Sequence, residues 1–400
     1  MLIFSATLTA VCALVALIWL TRNISISREN RHGIILREDY AGSTMRQPSL
    51  TVLVAAKDEE ETIDRCVRSM LDQDYPDYEL VVCNDRSTDR TSQIVAGIAA
   101  ENSRLRLLTI DRLPDGWAGK NHAMHTGIGQ TKGEWICMID ADCWQTSRRS
   151  LSAAMAYALD TGADMLSVLP TQEFKGFWEN VVQPVCSGVM MIWFHPDKVN
   201  SPKHPNAYAN GAFMLMRREA YDKIGGHEAV RQCVNEDMHI AARVKQSGLR
   251  LRVVRNDGLY ATRMYTSLGG MYRGWSRIFY GTFVTFKRIA LTLAAVLVVS
   301  MMPYAILVLA AILAAAGATP HAWWLACAGA AAAAVASQLT TIYRFYRLVG
   351  ASAGLAWTYP LGCAITAMCL FNSLGKLRKG ARIVWRNTSY QAQGQGVKTP

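Results

Sequence analysis

The chain has 400 residues, 51% of them hydrophobic and 18% charged, with a formal net charge of +11. That length allows two domains, and charge separates them, being dense over residues 46–288 and nearly absent over 289–342. The surplus Lys and Arg stand beside apolar stretches, where anionic headgroups attract cations, so the charge speaks for a membrane surface and against a nucleic-acid partner.

In chain order, Leu2 to Leu20 is an uncharged run of about 19 residues, enough to cross a bilayer core. Arg22, Arg28, Arg31 and Arg37 follow the run instead of preceding it, which fits an uncleaved anchor better than a signal peptide. By the positive-inside rule the N-terminus lies outside and the chain after residue 22 is cytosolic, at an inner membrane crossed several times.

From Ser49 the pattern becomes alternating strand and helix, the mark of an open α/β sheet with helices on both faces. Strands are predicted at Leu50–Ala56, Leu80–Cys83, Leu105–Ile110 and Trp135–Ile139. Ile63, Cys66, Val67, Met70 and Leu71 recur on one helix face, a helix with Ile94, Val95 and Ile98 inward begins at Ser87-Thr88, and another covers Asn121 to about Gly127. Ten cysteines form no CxxC pair or metal-type spacing and are read as reduced, buried thiols.

Residues 263–288, rich in aromatics and arginine, read as an interfacial amphipathic region. Three apolar stretches follow, Ile289 to Gly317, Trp323 to Thr341 and roughly Gly354 to Leu374. Lys287 and Arg288 place the start of the first inside, and Arg344 with Arg347 place the end of the second inside. The third either spans, leaving Lys376, Arg378, Lys379, Arg382 and Arg386 outside, or is re-entrant with that tail inside. The expected organisation is an anchor at 1–21, a basic linker at 22–47, an α/β domain at 48–262, the interfacial region, two or three transmembrane helices at 289–375 and a basic, polar tail at 376–400.

In open α/β sheets ligands bind beyond the carboxyl ends of the strands. Asp58-Glu59-Glu60, Asn84-Asp85 and Asp140-Ala141-Asp142 each follow an apolar strand. Two carboxylates one residue apart suit a hard divalent cation that bridges to a diphosphate, Mg2+ or Mn2+.

The stretches Val54–Ile63, Glu79–Thr91, Gly116-Trp-Ala-Gly-Lys120, Asp140-Ala-Asp142, Asn210-Gly-Ala-Phe213 and Asn235-Glu-Asp237 together resemble family 2 glycosyltransferases of the GT-A fold. Gly176-Phe-Trp178, Gly225–Arg231 and Gly274-Trp-Ser-Arg277 further resemble the bacterial ceramide-glucosyltransferase-like and hopanoid-associated branch. The resemblance implies transfer of a sugar from a nucleotide-sugar donor, most commonly a UDP-sugar, to a lipid or isoprenoid acceptor by one inverting displacement. It casts Asp237 as the base, Asp85, Glu59, Lys120 and Arg277 as contacts to the donor nucleotide, and Asp140 and Asp142 as metal ligands. Asn210, Gly211, His227, Glu236 and Trp275 would shape the acceptor pocket, and His239 is a candidate third ligand.

Each assignment has a plainer alternative. Asp85 caps a helix opening at Ser87-Thr88, acidic residues favour helix N-termini, His227 sits in a glycine turn, and Trp275 and Arg277 suit an interfacial helix. Processive polymerases of the family carry a (Q/R)xxRW box, whereas this chain reads Arg273-Gly-Trp-Ser-Arg277, which argues for single-sugar transfer over a polysaccharide synthase. A non-enzymatic membrane adaptor or transporter component is the remaining alternative; no ionisable residue lies deep within 289–341 to serve transport.

Overall fold

The computed structural model describes residues 1–43, 46–377, 382–385 and 388–391. The tail cations Arg378, Lys379 and Arg386 lie outside the described residues. The chain divides into two units: Met1–Gly33, Phe174–Met190 and Tyr265–Arg378 form one, and Ile34–Glu173, Met191–Met264 and Lys379–Pro400 the other.

The helical unit begins with α1 (Leu2–His32), which runs on through the first part of the expected 22–47 linker. The sheet-bearing unit follows with β1 (Ile35–Arg37), β2 (Leu50–Ala56), α2 (Ile63–Leu71), β3 (Tyr78–Asp85), α3 (Thr91–Glu101), β4 (Leu105–Ile110), α4 (Gly119–Gly129), β5 (Trp135–Asp140), β6 (Cys143–Gln145), α5 (Ser150–Thr161), β7 (Met165–Leu169) and β8 (Thr171–Gln172). After α6 (Phe177–Trp193) come α7 (Pro196–Asn200), β9 (Phe213–Arg217), α8 (Arg218–Lys223), α9 (Glu236–Gln246), β10 (Leu251–Asp257) and β11 (Tyr260–Thr262). The chain continues through α10 (Leu268–Phe283), α11 (Phe286–Ala295), α12 (Met302–Ala315), α13 (His321–Val349) and α14 (Tyr359–Lys376) to a hairpin of Arg382–Trp385 with Thr388–Gln391.

Eight strands form one sheet in the order β1-β10-β7-β9-β5-β2-β3-β4, in which β9 alone runs antiparallel to its neighbours β5 and β7. A smaller sheet joins β6, β11 and β8. Strands covered on both faces are apolar throughout, and here period 2 deals their residues to two cores. Val52, Val54, Val82, Cys137 and Ile139 enter one, Leu53, Val81, Ile136 and Met138 the other. This arrangement leaves only strand ends for polar chemistry: β2, β3 and β5 run parallel and finish together at Ala56, Asp85 and Asp140.

In the helical unit, α1 packs along α13, α12 packs along α13, and α14 packs against α10 and α11. Among the described residues four helices are long and apolar enough to cross a membrane: Leu2–Arg31, Phe286–Ala315, His321–Val349 and Ala353–Lys376. All ten cysteines are free thiols and nine are buried.

Candidate active site

Beyond β2 and β3 the backbone turns through two left-handed, non-glycine residues, Asp58 at φ 53° and Arg86 at φ 55°. Such residues persist where their surroundings over-determine them. Here the two loops are laced together. The Asp58 N–H donates to Ser87 Oγ (3.0 Å), while the Thr88 N–H returns a bond to Asp58 Oδ1 (2.8 Å). Glu59 N–H donates to Thr91 Oγ1 (2.8 Å), Glu60 N–H to Asp89 Oδ2 (3.0 Å), and Lys57 Nζ to the carbonyls of Asp85 (3.3 Å) and Arg86 (3.2 Å). Asp85, only 2% exposed, receives two bonds from the Arg86 guanidinium at 2.7 and 3.0 Å. The Glu59 carboxylate accepts from Thr62 Oγ1 at 3.2 Å. Beside this corner Trp117 stacks edge-on to His122, whose imidazole is pushed below its usual range by burial, against the pull of Asp85.

The second cluster lies beyond β5. Lys120, in the first turn of α4, places Nζ 2.6 Å from Asp140 Oδ1 and 2.6 Å from Glu236 Oε1. Burial alone would depress this ammonium, but the two carboxylates outweigh it and hold it well above its usual value. Glu236 and Asp237 open α9, where free N–H groups favour anions. Asp237 Oδ2 accepts the Gly211 N–H (3.0 Å) and Oδ1 the Met238 N–H (2.7 Å), fixing the plane of the carboxylate. Burial first, and then the neighbouring Glu236, raise the Asp237 carboxyl to about 7, with Lys120 opposing. Gly211 sits among these groups: a Cβ there would lie 3.0 Å from Lys120 Nζ, 3.5 Å from Asp140 Oδ2 and 3.6 Å from Asp237 Oδ2. A side chain at 211 would occupy the space the charges face.

The structure therefore brings Lys120, Asp140, Gly211, Glu236 and Asp237 together and sets Asp85 and Glu59 in the laced corner. Several expectations are corrected. Lys120 belongs to a helix and not to a loop, and it is ion-paired. Glu236 is buried and paired through Oε1 with Lys120. The helix after β3 starts at Thr91, whose N–H is taken by Asp89 Oδ1 (2.9 Å), so Asp85 caps nothing at Ser87. His227 is fully buried, with Nδ1 2.9 Å from the Tyr221 hydroxyl. Burial pushes it down to about 3, which keeps a neutral ring inside the fold. Gly226, at φ 50°, makes room for the Tyr221 ring that anchors it.

Among the described residues no three His, Cys, Asp or Glu side chains gather as a metal site, so His239 does not complete one with Asp140 and Asp142. Trp275 is buried against Phe279 in the helical unit, and its ring is committed to packing. In the same unit Arg277 Nη2 donates to the Tyr265 hydroxyl (3.1 Å). Asn210 is engaged in its own loop, its Oδ1 accepting the Ala212 N–H (2.9 Å). Tyr208, an electrostatic neighbour of Asp237, and the loop-lacing residues Lys57, Asp89 and Thr91 carry no sequence-based role, and Ser87 was read only as a helix start.

Two carboxylates one residue apart on a strand end fit a hard cation that draws its other oxygens from a diphosphate and water, not one caged by protein alone. The Lys120 ammonium against Asp140 marks that strand end as a place where positive charge is accepted.

Residues 51–225 match the family model described as Glycosyl transferase family 2. The matched stretch includes Asp85, Lys120, Asp140 and Asp142 and stops before Asp237. A 4,4'-diaponeurosporenoate glycosyltransferase of Staphylococcus aureus (strain MRSA252) is 25% identical over 231 residues, which are 57% of this chain and 60% of that relative. The chain thus spans about three fifths of the curated relatives it matches. A mannosyltransferase, PcManGT, from Pyrobaculum calidifontis, solved in complex with GDP-Man and Mn2+, superposes with a TM-score of 0.53 at 19% identity, covering 92% of this chain and 99% of that one. S. aureus TarS 1-349 in complex with UDP-GlcNAc reaches a TM-score of 0.41 at 15% identity, covering 82% and 89%. The fold is GT-A.

Proposed function

We propose that this chain is a membrane-bound, inverting glycosyltransferase that moves one sugar from a nucleotide-sugar, a UDP-sugar first among donors, to the hydroxyl of a lipid or isoprenoid acceptor. The observation that carries the reading is Asp237, held by two backbone N–H groups beside Lys120 and Asp140, with burial and Glu236 raising its affinity for a proton. A base must lie within hydrogen-bond reach of the proton it takes and hold a suitable affinity for it. The acceptor oxygen attacks the anomeric carbon, its proton passes to Asp237, and the bond to the diphosphate breaks with release of the nucleoside diphosphate.

Asp85 and Glu59 are assigned to the nucleoside, and Lys120, with Arg277 as a second candidate, to the diphosphate. Asp140 and Asp142 would hold Mg2+ or Mn2+, which when bound neutralises charge on the leaving diphosphate. The name of the staphylococcal relative supports an isoprenoid-type acceptor.

The catalytic unit is assigned to the cytosolic side of an inner membrane because Arg22, Arg28, Arg31, Arg344 and Arg347 crowd one end of α1 and α13. Half of the apolar window of α14 is buried in protein, against 22%, 28% and 33% for the other three candidate spans. A segment this packed suits either a central span or a re-entrant helix, and in the second case the basic tail stays on the cytosolic side.

The test is turnover of a nucleotide-sugar panel by the full chain in lipid nanodiscs with a polyprenol acceptor. One donor consumed with Mg2+ or Mn2+, and spared by chelator or by Asp142→Asn, supports the reading; a folded protein that neither binds nor consumes any donor overturns it.

A further inference from the structure

We propose that in the free enzyme the Lys120 ammonium fills the cation position at Asp140, and that it leaves Asp140 only when a metal and a diphosphate arrive together. The proposal rests on Asp140 and Asp142 as ligands of a divalent cation, and it adds the order in which that cation enters.

Asp140 closes β5 and Lys120 stands in the first turn of α4, so separate elements present the carboxylate and the ammonium. They meet at 2.6 Å, Nζ to Oδ1. A hard cation draws on the same carboxylate oxygens. An ammonium bonded to one of them occupies a lone pair that the cation needs, and like charges at this range repel. A divalent ion that comes alone therefore meets a carboxylate already paired.

The two partners of Lys120 face different surroundings. The Glu236 side chain is 6% exposed, that of Lys120 16% and that of Asp140 33%. Glu236, also at 2.6 Å, thus anchors the ammonium from the buried side, while Asp140 meets it at the side open to solvent. Release from Asp140 keeps the bond to Glu236, so the ammonium is not stranded without a counter-ion, which is the costly state of a buried charge. Gly211 leaves the same side bare: a Cβ there would lie 3.0 Å from Nζ and 3.5 Å from Asp140 Oδ2, and glycine puts no side chain over either.

A diphosphate alters this balance because its anionic oxygens serve both cations. It accepts the ammonium in place of Asp140, and it supplies oxygens that complete a metal's coordination. Donor and metal binding are then coupled, each tightening the other by the same factor. Lys120 acts as the placeholder that keeps metal out until a diphosphate is there to share it.

The experiment titrates Mn2+ into the full chain in zwitterionic nanodiscs and measures unbound ion by its electron paramagnetic resonance signal, with no turnover involved. Lys120→Met/Glu236→Gln removes one positive and one negative charge, so the net charge of the site is kept while Asp140 is freed. Without nucleotide this variant is expected to bind Mn2+ about tenfold more tightly than wild type, and Asp140→Asn added to it removes the gain. Lys120→Gln, which keeps a donor for Glu236, is the second variant should the first melt early, and the same gain is expected. Saturating UDP or GDP tightens Mn2+ more in wild type than in either variant. Nucleotide-free affinities within about twofold of wild type in the folded variants, while UDP or GDP still tightens Mn2+, overturn the role of Lys120 and leave the metal ligands standing. Mn2+ bound by no form, with or without UDP or GDP, overturns the metal ligands and the role of Lys120 with them.

Discussion

In the sheet-bearing unit two partly buried ammonium groups are closely enclosed by acceptors: Lys120 stands 2.6 Å from each of two carboxylates, and Lys245 is ringed by the carbonyls of Lys198, Val199, Ser201 and Asn206 at 2.8–3.3 Å. Where α1, α12, α13 and α14 meet in the helical unit, the polar groups are neutral and share single hydrogen bonds, as Ser300, Gln338 and Tyr359 do. The first arrangement holds charge ready for an ionic substrate at the cost of desolvation; the second stays within what an apolar surround tolerates. The contrast teaches that charge is concentrated where strands end and excluded where helices meet lipid.

Removal of one partner should be severe in the first region and mild in the second. Lys120→Met, which leaves Asp140 and Glu236 facing one another without a counter-ion, is expected to destabilise by about 3–5 kcal/mol in denaturant titration, with partial recovery in Lys120→Met/Glu236→Gln. Lys245→Met strands four carbonyls and should cost about 2 kcal/mol, with earlier proteolysis at 196–206 as the local readout.

His227 tests the same contrast by pH. Its folded value of about 3 lies below the ordinary 6.5, so the unfolded chain binds the extra proton and stability is full above pH 6.5. Below that it should fall by about 1 kcal/mol per pH unit, a slope that His227→Asn flattens in melts between pH 7 and 5. Ser300→Ala should cost only about 0.6 kcal/mol in unfolding from bilayer-mimetic micelles, and a loss as large as that of Lys120→Met would erase the distinction between the units.

Much of the sheet was legible because strands buried on both faces read as continuous apolar runs: Leu50–Ala56 and Leu105–Ile110 match their predicted bounds, and the helix face of Ile63, Cys66, Val67 and Met70 is buried as its spacing requires. The antiparallel β9 was not, since direction leaves no mark on a five-residue apolar strand. Ser87-Thr88 resembles a helix start, but Asp58 and Ser87 bond across the two loops and delay α3 to Thr91, a tertiary choice that overrides a local signal. For the site, strand-end carboxylates were readable by position. The partners of Lys120 were not, because Asp140 lies 20 residues and Glu236 116 residues further along the chain, beyond the reach of any local spacing rule. The π-turn at 296–301 was equally invisible, since a uniformly apolar stretch has no period to break.

The most direct test of the account is single-turnover kinetics of Asp237→Asn beside its donor affinity by calorimetry. Because the folded protein raises the Asp237 carboxyl to about 7, ionising it at pH 8 works against the fold, and asparagine should be at least as stable there. The account predicts unchanged melting and donor affinity with transfer slowed by about 10²–10⁴-fold. Transfer within about tenfold of wild type, at equal donor occupancy, would contradict Asp237 as the base.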